Sequence, residues 1–202
     1  MIPQGELFIS EKIFLRRFEK SDAPRVKDIL SDADVGRYLG IHQFERLADA
    51  EEYLEKNYLS RYRAADSGIL NDCGLPIDCR FAICRKEDGE LVGRIGIASM
   101  GPSNNIGFYL AHNLWGHGYM HEAMKLMLRI AEQYRYPYLT GCCNRLNSRS
   151  AKVLLRAGMT YRYSWQDSSN EINDLYQCDF RREVTTYTGH IAGSVKHWSV
   201  QS

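Results

Sequence analysis

The sequence predicts one α+β domain built on a mixed, mostly antiparallel sheet with helices on both faces. Two observations carry this. The first is a change of period along the chain: residues 80–110 read as short β-type runs joined by tight turns, whereas residues 121–165 alternate helical and strand periods. A meander followed by helix-linked crossovers makes a mixed sheet covered on both faces. The second is composition. The 202 residues are 44% hydrophobic and 25% charged, the proportions of an ordinary globular chain. At that length one core buries most of its apolar surface without disulfides or metals.

Taken in order, residues 7–18 hold two β-type runs around Ser10-Glu11-Lys12, which suits a hairpin or bent strand. Ser21 then offers an N-cap, Pro24 sits in a first helical turn, and Val26, Ile29 and Leu30 follow at helical spacing to an end near Ser31-Asp32. Residues 47–64 give a second helix, since Leu47, Ala50, Tyr53, Leu54, Tyr58, Tyr62 and Ala65 recur every three or four positions. Residues 66–79 contain Gly68, Asn71-Asp72, Gly74 and Pro76 and read as a long loop.

Residues 80–85 and 90–99 form a hairpin across Asp88-Gly89, and residues 106–110 add a third strand. From His121 the period becomes helical, with Ala123, Leu126, Met127, Ile130, Ala131 and Tyr134 on one face. Residues 138–143 return to a strand. Ala151, Leu154 and Leu155 make a last helical face, which Gly158 stops. Residues 159–165 and 175–184 are the final strands. Residues 7–184 thus make the domain, and 185–202 a tail or edge strand.

Several function classes are excluded at this stage. Lys plus Arg number 26 and Asp plus Glu 25, so the formal charge is +1, without the cationic excess that nucleic-acid binding needs. No apolar run approaches a membrane span, and the N-terminus does not read as a secretory signal, which gives a cytoplasmic expectation. The cysteines at 73, 79, 84, 142, 143 and 178 show no Cys-x-x-Cys pair, so reduced thiols and no metal site are expected.

The segment that carries chemistry runs from Phe108-Tyr109-Leu110 through Trp115-Gly116-His117-Gly118-Tyr119-Met120 into the helix. Gly116 and Gly118 allow close backbone approach, and a helix N-terminus presents free N–H groups, so the pair suits a pyrophosphate. A P-loop lysine motif is absent, and so is the third glycine of a dinucleotide fold.

Leu114-Trp115-Gly116-His117-Gly118-Tyr119-Met120-His121-Glu122-Ala123 resembles the acetyl-CoA pyrophosphate loop of the GNAT N-acetyltransferases, in the branch of the ribosomal-protein N-terminal (alanine) acetyltransferases. Three more stretches agree in order: Phe14–Phe18 with Ser21-Asp22-Ala23, Glu87–Gly96, and Asn147–Met159 against an Asn-x-x-Ser-x-x-Val-Leu-x-x-x-Gly-Phe signature. The resemblance implies the GNAT fold, with two central parallel strands splayed around acetyl-CoA as co-substrate. It implies that Phe108, Tyr109 and Leu110 bond the pantetheine arm, and that the amides of Trp115, Gly116, His117, Gly118, Tyr119 and Met120 hold the pyrophosphate. Asn147 would face the pantetheine and Ser150 the thioester sulfur.

The implied activity is transfer of acetyl to a primary amine, a protein N-terminus or a small molecule, by direct attack in a ternary complex. That reaction needs a proton acceptor, an oxyanion donor and help for the leaving thiolate. A strand N–H near Tyr109 is expected as the donor and Ser150 as the catalytic hydroxyl; the plainer role for Ser150 is a helix cap. One position departs from the branch. Asn105 stands where it usually carries a glutamate base, and an amide accepts no proton at neutral pH. Glu171, Asp167, His112 and His117 are the replacements on offer. The alternative is a catalytically silent CoA-binding or partner-binding module. The same fold also admits a longer acyl donor. A monomer or homodimer is expected, with an amine-bearing acceptor and with neither nucleic acid nor membrane as partner.

Overall fold

The computed structural model describes residues 8–39, 44–70, 78–100, 103–180 and 196–197. The opening turn is a hairpin: β1 (Phe8–Ile9) pairs antiparallel with β2 (Ile13–Arg16), Phe8 opposite Leu15. Along β2, Ile13 and Leu15 are buried while Phe14 and Arg16 are half-buried, the alternation of a strand with one face on a core.

The first helix is entered differently from the Ser21 cap expected. A 3-10 turn, Lys20–Asp22, leads into α1 (Ala23–Leu30), and Asp22 stands at the N-cap. Its carboxylate accepts the Glu19 N–H at 2.8 Å and both prongs of the Arg16 guanidinium at 2.7 and 2.8 Å. Charge-assisted, two-pronged bonding of this kind is stronger than a serine hydroxyl offers. A short α2 (Ala33–Gly36), unforeseen in the sequence, follows because the Asp32 side chain accepts from the N–H groups of Asp34 and Val35.

The helix expected over 47–64 is one run of three pieces: α3 (Leu47–Leu54), a π turn (Glu55–Leu59) and α4 (Ser60–Asp66). Its buried residues are Ala50, Leu54, Tyr58 and Tyr62, spaced by four. A four-residue step overshoots a 3.6-residue turn by about 40°. The wider π turn absorbs that drift and keeps the stripe on the sheet. Leu47 leaves the expected stripe and is 44% exposed in the first turn. Of the loop expected over 66–79, residues 71–77 lie outside the described residues.

The meander forms as β3 (Asp78–Arg85), β4 (Leu91–Met100) and β5 (Ser103–Leu110), with Gly89 at φ +75° in the first turn. β5 begins three residues before the expected start. Asn104 and Asn105 continue the ladder opposite Ser99 and Ala98, and the Asn104 amide is satisfied by the Tyr138 carbonyl at 3.3 Å. Then come α5 (Tyr119–Gln133), β6 (Tyr138–Asn144), α6 (Ser148–Arg156), β7 (Thr160–Gln166) and β8 (Ile172–Asp179). Gly158, at φ +85°, ends α6 while the Met159 N–H returns to the Leu154 carbonyl. β8 starts three residues ahead of the expected 175–184, and residues 181–184 lie outside the described residues. Within the expected tail, β9 (Lys196–His197) pairs with β7 at Trp165 and Gln166.

The strands make one mixed sheet in the order β1-β2-β3-β4-β5-β6-β8-β7-β9. Helices cover both faces. A Cβ at Gly141 would meet Leu154 of α6 at 2.6 Å, whereas Asn105, on the opposite face, turns to Thr140 and Cys142. Among the described residues no helix is long and apolar enough to cross a membrane.

Candidate active site

β5 and β6 are parallel neighbours, yet they pair at one position only, Asn105 opposite Thr140. β5 is fully paired with β4 on its other side, and β6 with β8. Beyond Asn105 the two strands therefore diverge. The Ala111 N–H bonds Val92 of β4 at 2.8 Å, so by the alternation of an antiparallel ladder the backbone groups of Asn105, Gly107 and Tyr109 also face β4. Those of Phe108 and Leu110 face the gap. The Tyr109 N–H is committed to β4, so the strand N–H groups near it that face the gap are those of Phe108 and Leu110. The Leu110 carbonyl is taken by the Trp115 indole N–H at 2.9 Å.

The loop at the mouth of the gap sets two glycines just ahead of a helix N-terminus. A 3-10 turn (His112–Leu114) leads to Gly116 at φ +84° and Gly118 at φ +86°, the latter the N-cap of α5. A Cβ at Gly116 would meet nothing within 4 Å. α5 starts at Tyr119 rather than near His121, and its first intrahelical bond is Glu122 N–H to the Gly118 carbonyl. The N–H groups of Tyr119, Met120 and His121 thus belong to the unpaired first turn. Gly116, His117 and Gly118 are exposed, Trp115 and Tyr119 half-buried, and Met120 buried.

Two cations beside this loop were not legible in the sequence. The Lys12 ammonium, on the β1–β2 turn, donates to the His117 carbonyl at 3.2 Å. Glu122 anchors that turn by accepting from the Ser10 hydroxyl and the Lys12 N–H. The Arg149 guanidinium, in the first turn of α6, lies 5.0 Å over the Trp115 ring and so connects the two sides of the gap.

At the start of α6 the capping group is Asn147, whose Oδ1 accepts the Ser150 N–H at 3.1 Å. The Ser150 hydroxyl makes no hydrogen bond among the described residues, so it is not the cap. Asn105 donates weakly to Thr140 Oγ1 and Cys142 Sγ, both at 3.5 Å. The replacement bases do not gather around it. His112 turns to Asp32 and Asp34 at 3.5 and 3.4 Å, and it lines a cavity of about 540 Å³ bounded by Arg25 and Asp28. His117 is exposed on the loop. Asp167 accepts from the Ser169 and Glu171 N–H groups and from Asn173; although desolvation raises its pKa, those bonds hold it below the usual carboxylate range. Glu171 accepts from Asn144 at 2.7 Å at the far end of β6.

Among the described residues Cys79, Cys84, Cys142, Cys143 and Cys178 are free thiols; Cys73 lies outside them. Burial pushes Cys84 and Cys143 up to about 11. At pH 8 the folded chain holds about 10²-fold less thiolate at these two positions than an unfolded one. Iodoacetamide labelling followed by peptide mass mapping is expected to show both sulfurs alkylated at least about tenfold more slowly in the folded protein. Equal rates would contradict their burial.

The sequence matches the family described as acetyltransferase (GNAT) domain over residues 12–160. It is 28% identical over 127 residues to an uncharacterized N-acetyltransferase, p20, of Bacillus licheniformis, covering 61% of this chain. The chain spans 64% of that relative's length. A GNAT acetyltransferase of Bacillus anthracis superposes with a TM-score of 0.71 at 20% identity, over 86% of this chain and 98% of that one. RimL, a ribosomal L7/L12 alpha-N-protein acetyltransferase solved in complex with coenzyme A, gives 0.71 at 16% identity over 86% and 98%.

Proposed function

The chain belongs to the GNAT acetyltransferase family, and on that footing we propose that it transfers an acetyl group from acetyl-CoA to a primary amine, a protein N-terminus or a small molecule, by direct attack in a ternary complex. The observation that carries this is the gap itself. Two parallel strands part after Asn105 and Thr140, and a double-glycine loop with an unpaired helical first turn stands at the mouth.

The residues present fit the co-substrate. The backbone N–H groups of Phe108 and Leu110 face the gap and suit amide and thioester oxygens, the Leu110 carbonyl being held by the Trp115 indole, and Gly116 leaves open space where any side chain would intrude. The Trp115 N–H is already bonded to the His112 carbonyl at 3.1 Å, against the expectation for it, but the amides from Gly116 to Met120, with Lys12 beside them, suit a diphosphate. Bound acetyl-CoA supplies an activated acyl group. Ser150 then gives its proton to the departing sulfur and takes up the one that the amine nitrogen loses on forming the amide, and the Asn147 Nδ2, on the carboxamide whose oxygen caps α6, faces the pantetheine. Calorimetry with acetyl-CoA and thiol release with a panel of amines and N-terminal peptides test this. No binding at millimolar acetyl-CoA would refute it. A longer acyl-CoA in the same assay reads donor preference.

Asn105 fixes the expected pH dependence. A carboxamide does not titrate, so the acceptor attacks as the neutral amine it brings. Below the amine's own pKa, kcat/KM is expected to rise about tenfold per pH unit, because the neutral fraction does, and to level off above it. The midpoint moves with the acceptor. A midpoint near pH 6 shared by acceptors of different basicity would instead reveal a base on the protein. Asn105 also motivates a second reading, a silent CoA-binding module; turnover with any acceptor removes it.

A further inference from the structure

Two turns far apart in the chain bring an imidazole and two carboxylates together beside the diphosphate loop. His112 opens the 3-10 turn that follows β5, while Asp32 caps α2 and Asp34 lies in its first turn. His112 Nδ1 stands 3.5 Å from Asp32 Oδ2 and 3.4 Å from Asp34 Oδ2. The three atoms all lie within 4.8 Å of one another, the single group of its kind among the described residues.

The spacing is informative. A charge-assisted N–H···O bond closes to about 2.7–2.9 Å. Two ligands of a tetrahedral zinc ion, each about 2.0–2.1 Å from it, stand about 3.4 Å apart. The observed separations match the second figure. One Nδ1–H cannot point at two oxygens at once, whereas one ion can be shared by all three atoms.

Each donor is also held in place. Asp32 Oδ1 accepts the Asp34 N–H at 2.8 Å and the Val35 N–H at 3.3 Å, which leaves Oδ2 to His112. On Asp34 it is Oδ1 that faces Arg37, at 3.8 Å, so Oδ2 again belongs to the cluster. The His112 ring rests on Trp115, their centroids 4.4 Å apart. Ligands oriented beforehand lose little freedom when an ion arrives. Asp32 and His112 form part of the wall of the 540 Å³ cavity, which gives an ion a way in and room for water as a fourth ligand. The cation on that wall, Arg25, is matched by Glu90 at 2.8 Å and by the Leu91 carbonyl at 3.0 Å, and Asp28 adds a further carboxylate.

We propose that Asp32, Asp34 and His112 form a divalent metal site of zinc type, one nitrogen and two oxygens with a fourth position open to the cavity. Magnesium and calcium prefer larger, all-oxygen shells. The sequence expectation of no metal site rested on cysteine spacing, and this cluster uses no cysteine. The site has a route to the loop. Trp115 touches both His112 and Arg149, and its indole holds the Leu110 carbonyl. An ion that ties His112 to α2 therefore stiffens the loop and tightens acetyl-CoA binding; this consequence, unlike the site, rests on the function proposed above.

The test uses the full chain, purified without a polyhistidine tag and with its thiols reduced. Calorimetry with zinc chloride is expected to show one site per chain, which His112→Gln and Asp34→Asn each weaken at least about tenfold. Both variants are expected to keep the melting temperature of the metal-free chain. Cobalt(II) is expected to give the visible absorption of a nitrogen- and oxygen-bound ion, without the near-ultraviolet band of a thiolate ligand. No zinc binding up to about 100 μM, binding that survives both substitutions, a thiolate band, or magnesium binding as tightly as zinc overturns the site. Saturating zinc is expected to tighten the acetyl-CoA Kd about fivefold. An unchanged Kd overturns the link to the loop. Absence of acetyl-CoA binding with and without zinc overturns the proposed function instead, since zinc binding is read on the chain alone.

Discussion

Gly93→Ala is expected to lower the unfolding free energy by about 3 kcal/mol and to weaken acetyl-CoA binding with it. A Cβ at Gly93 would stand 2.4 Å from the Tyr109 carbonyl oxygen and 3.0 Å from the Leu110 Cα, both backbone atoms of β5. Backbone held in a ladder does not step aside as a side-chain tip does, so one strand must move. The close approach has a local cause. The β3–β4 register passes from Ile83 opposite Gly93 to Cys84 opposite Leu91, which leaves Val92 as a bulge that turns β4 toward β5. The strand displaced is the one that lines the gap, so stability and ligand affinity fall together. Gly116→Ala is the contrast. Its φ of +84° strains an alanine by about 1–2 kcal/mol, but nothing stands within 4 Å of the new Cβ. Urea melts of the two variants separate the effects, and a loss below about 1 kcal/mol at Gly93 would refute the steric argument.

The same comparison shows what a sequence can display. Period and turn chemistry are local, so the hairpin at Gly89, the helix stop at Gly158 and the two loop glycines were all legible, and each has φ near +80°. The N-terminus of α1 departs from the Ser21 expectation because Asp22, the N-cap residue, has its side chain held by Arg16 six residues away and by the Glu19 N–H, with no side-chain bond to an α1 N–H. The parting of β5 from β6 was reached through resemblance alone, since no periodicity distinguishes a paired strand from a parted one. The charged groups around the site were the least legible. Lys12 reaches the His117 carbonyl across 105 positions, and Arg149 reaches Trp115 from another crossover. Topology creates those neighbours, and no spacing rule encodes them.

Ser150→Ala and Asn147→Ala are expected to fail in opposite ways, which separates chemistry from architecture at one helix end. The Asn147 carboxamide oxygen holds the Ser150 N–H at 3.1 Å, one of the donors α6 cannot satisfy internally. Its removal is expected to cost about 1 kcal/mol of stability. On the proposal that its Nδ2 faces the pantetheine, the same change is expected to raise KM for acetyl-CoA and to leave kcat nearly intact. The Ser150 hydroxyl bonds nothing among the described residues, so an alanine there leaves the melting temperature unchanged. A thiolate leaving without a proton donor is a poorer leaving group, and kcat is expected to fall about 10²-fold with KM little moved. The capping role would give the reverse: a Ser150→Ala variant that melts early and turns over normally. Because Asn147 already fills that role, the hydroxyl held three residues beyond the cap is free of it, and this supports the proposed donation to the leaving sulfur.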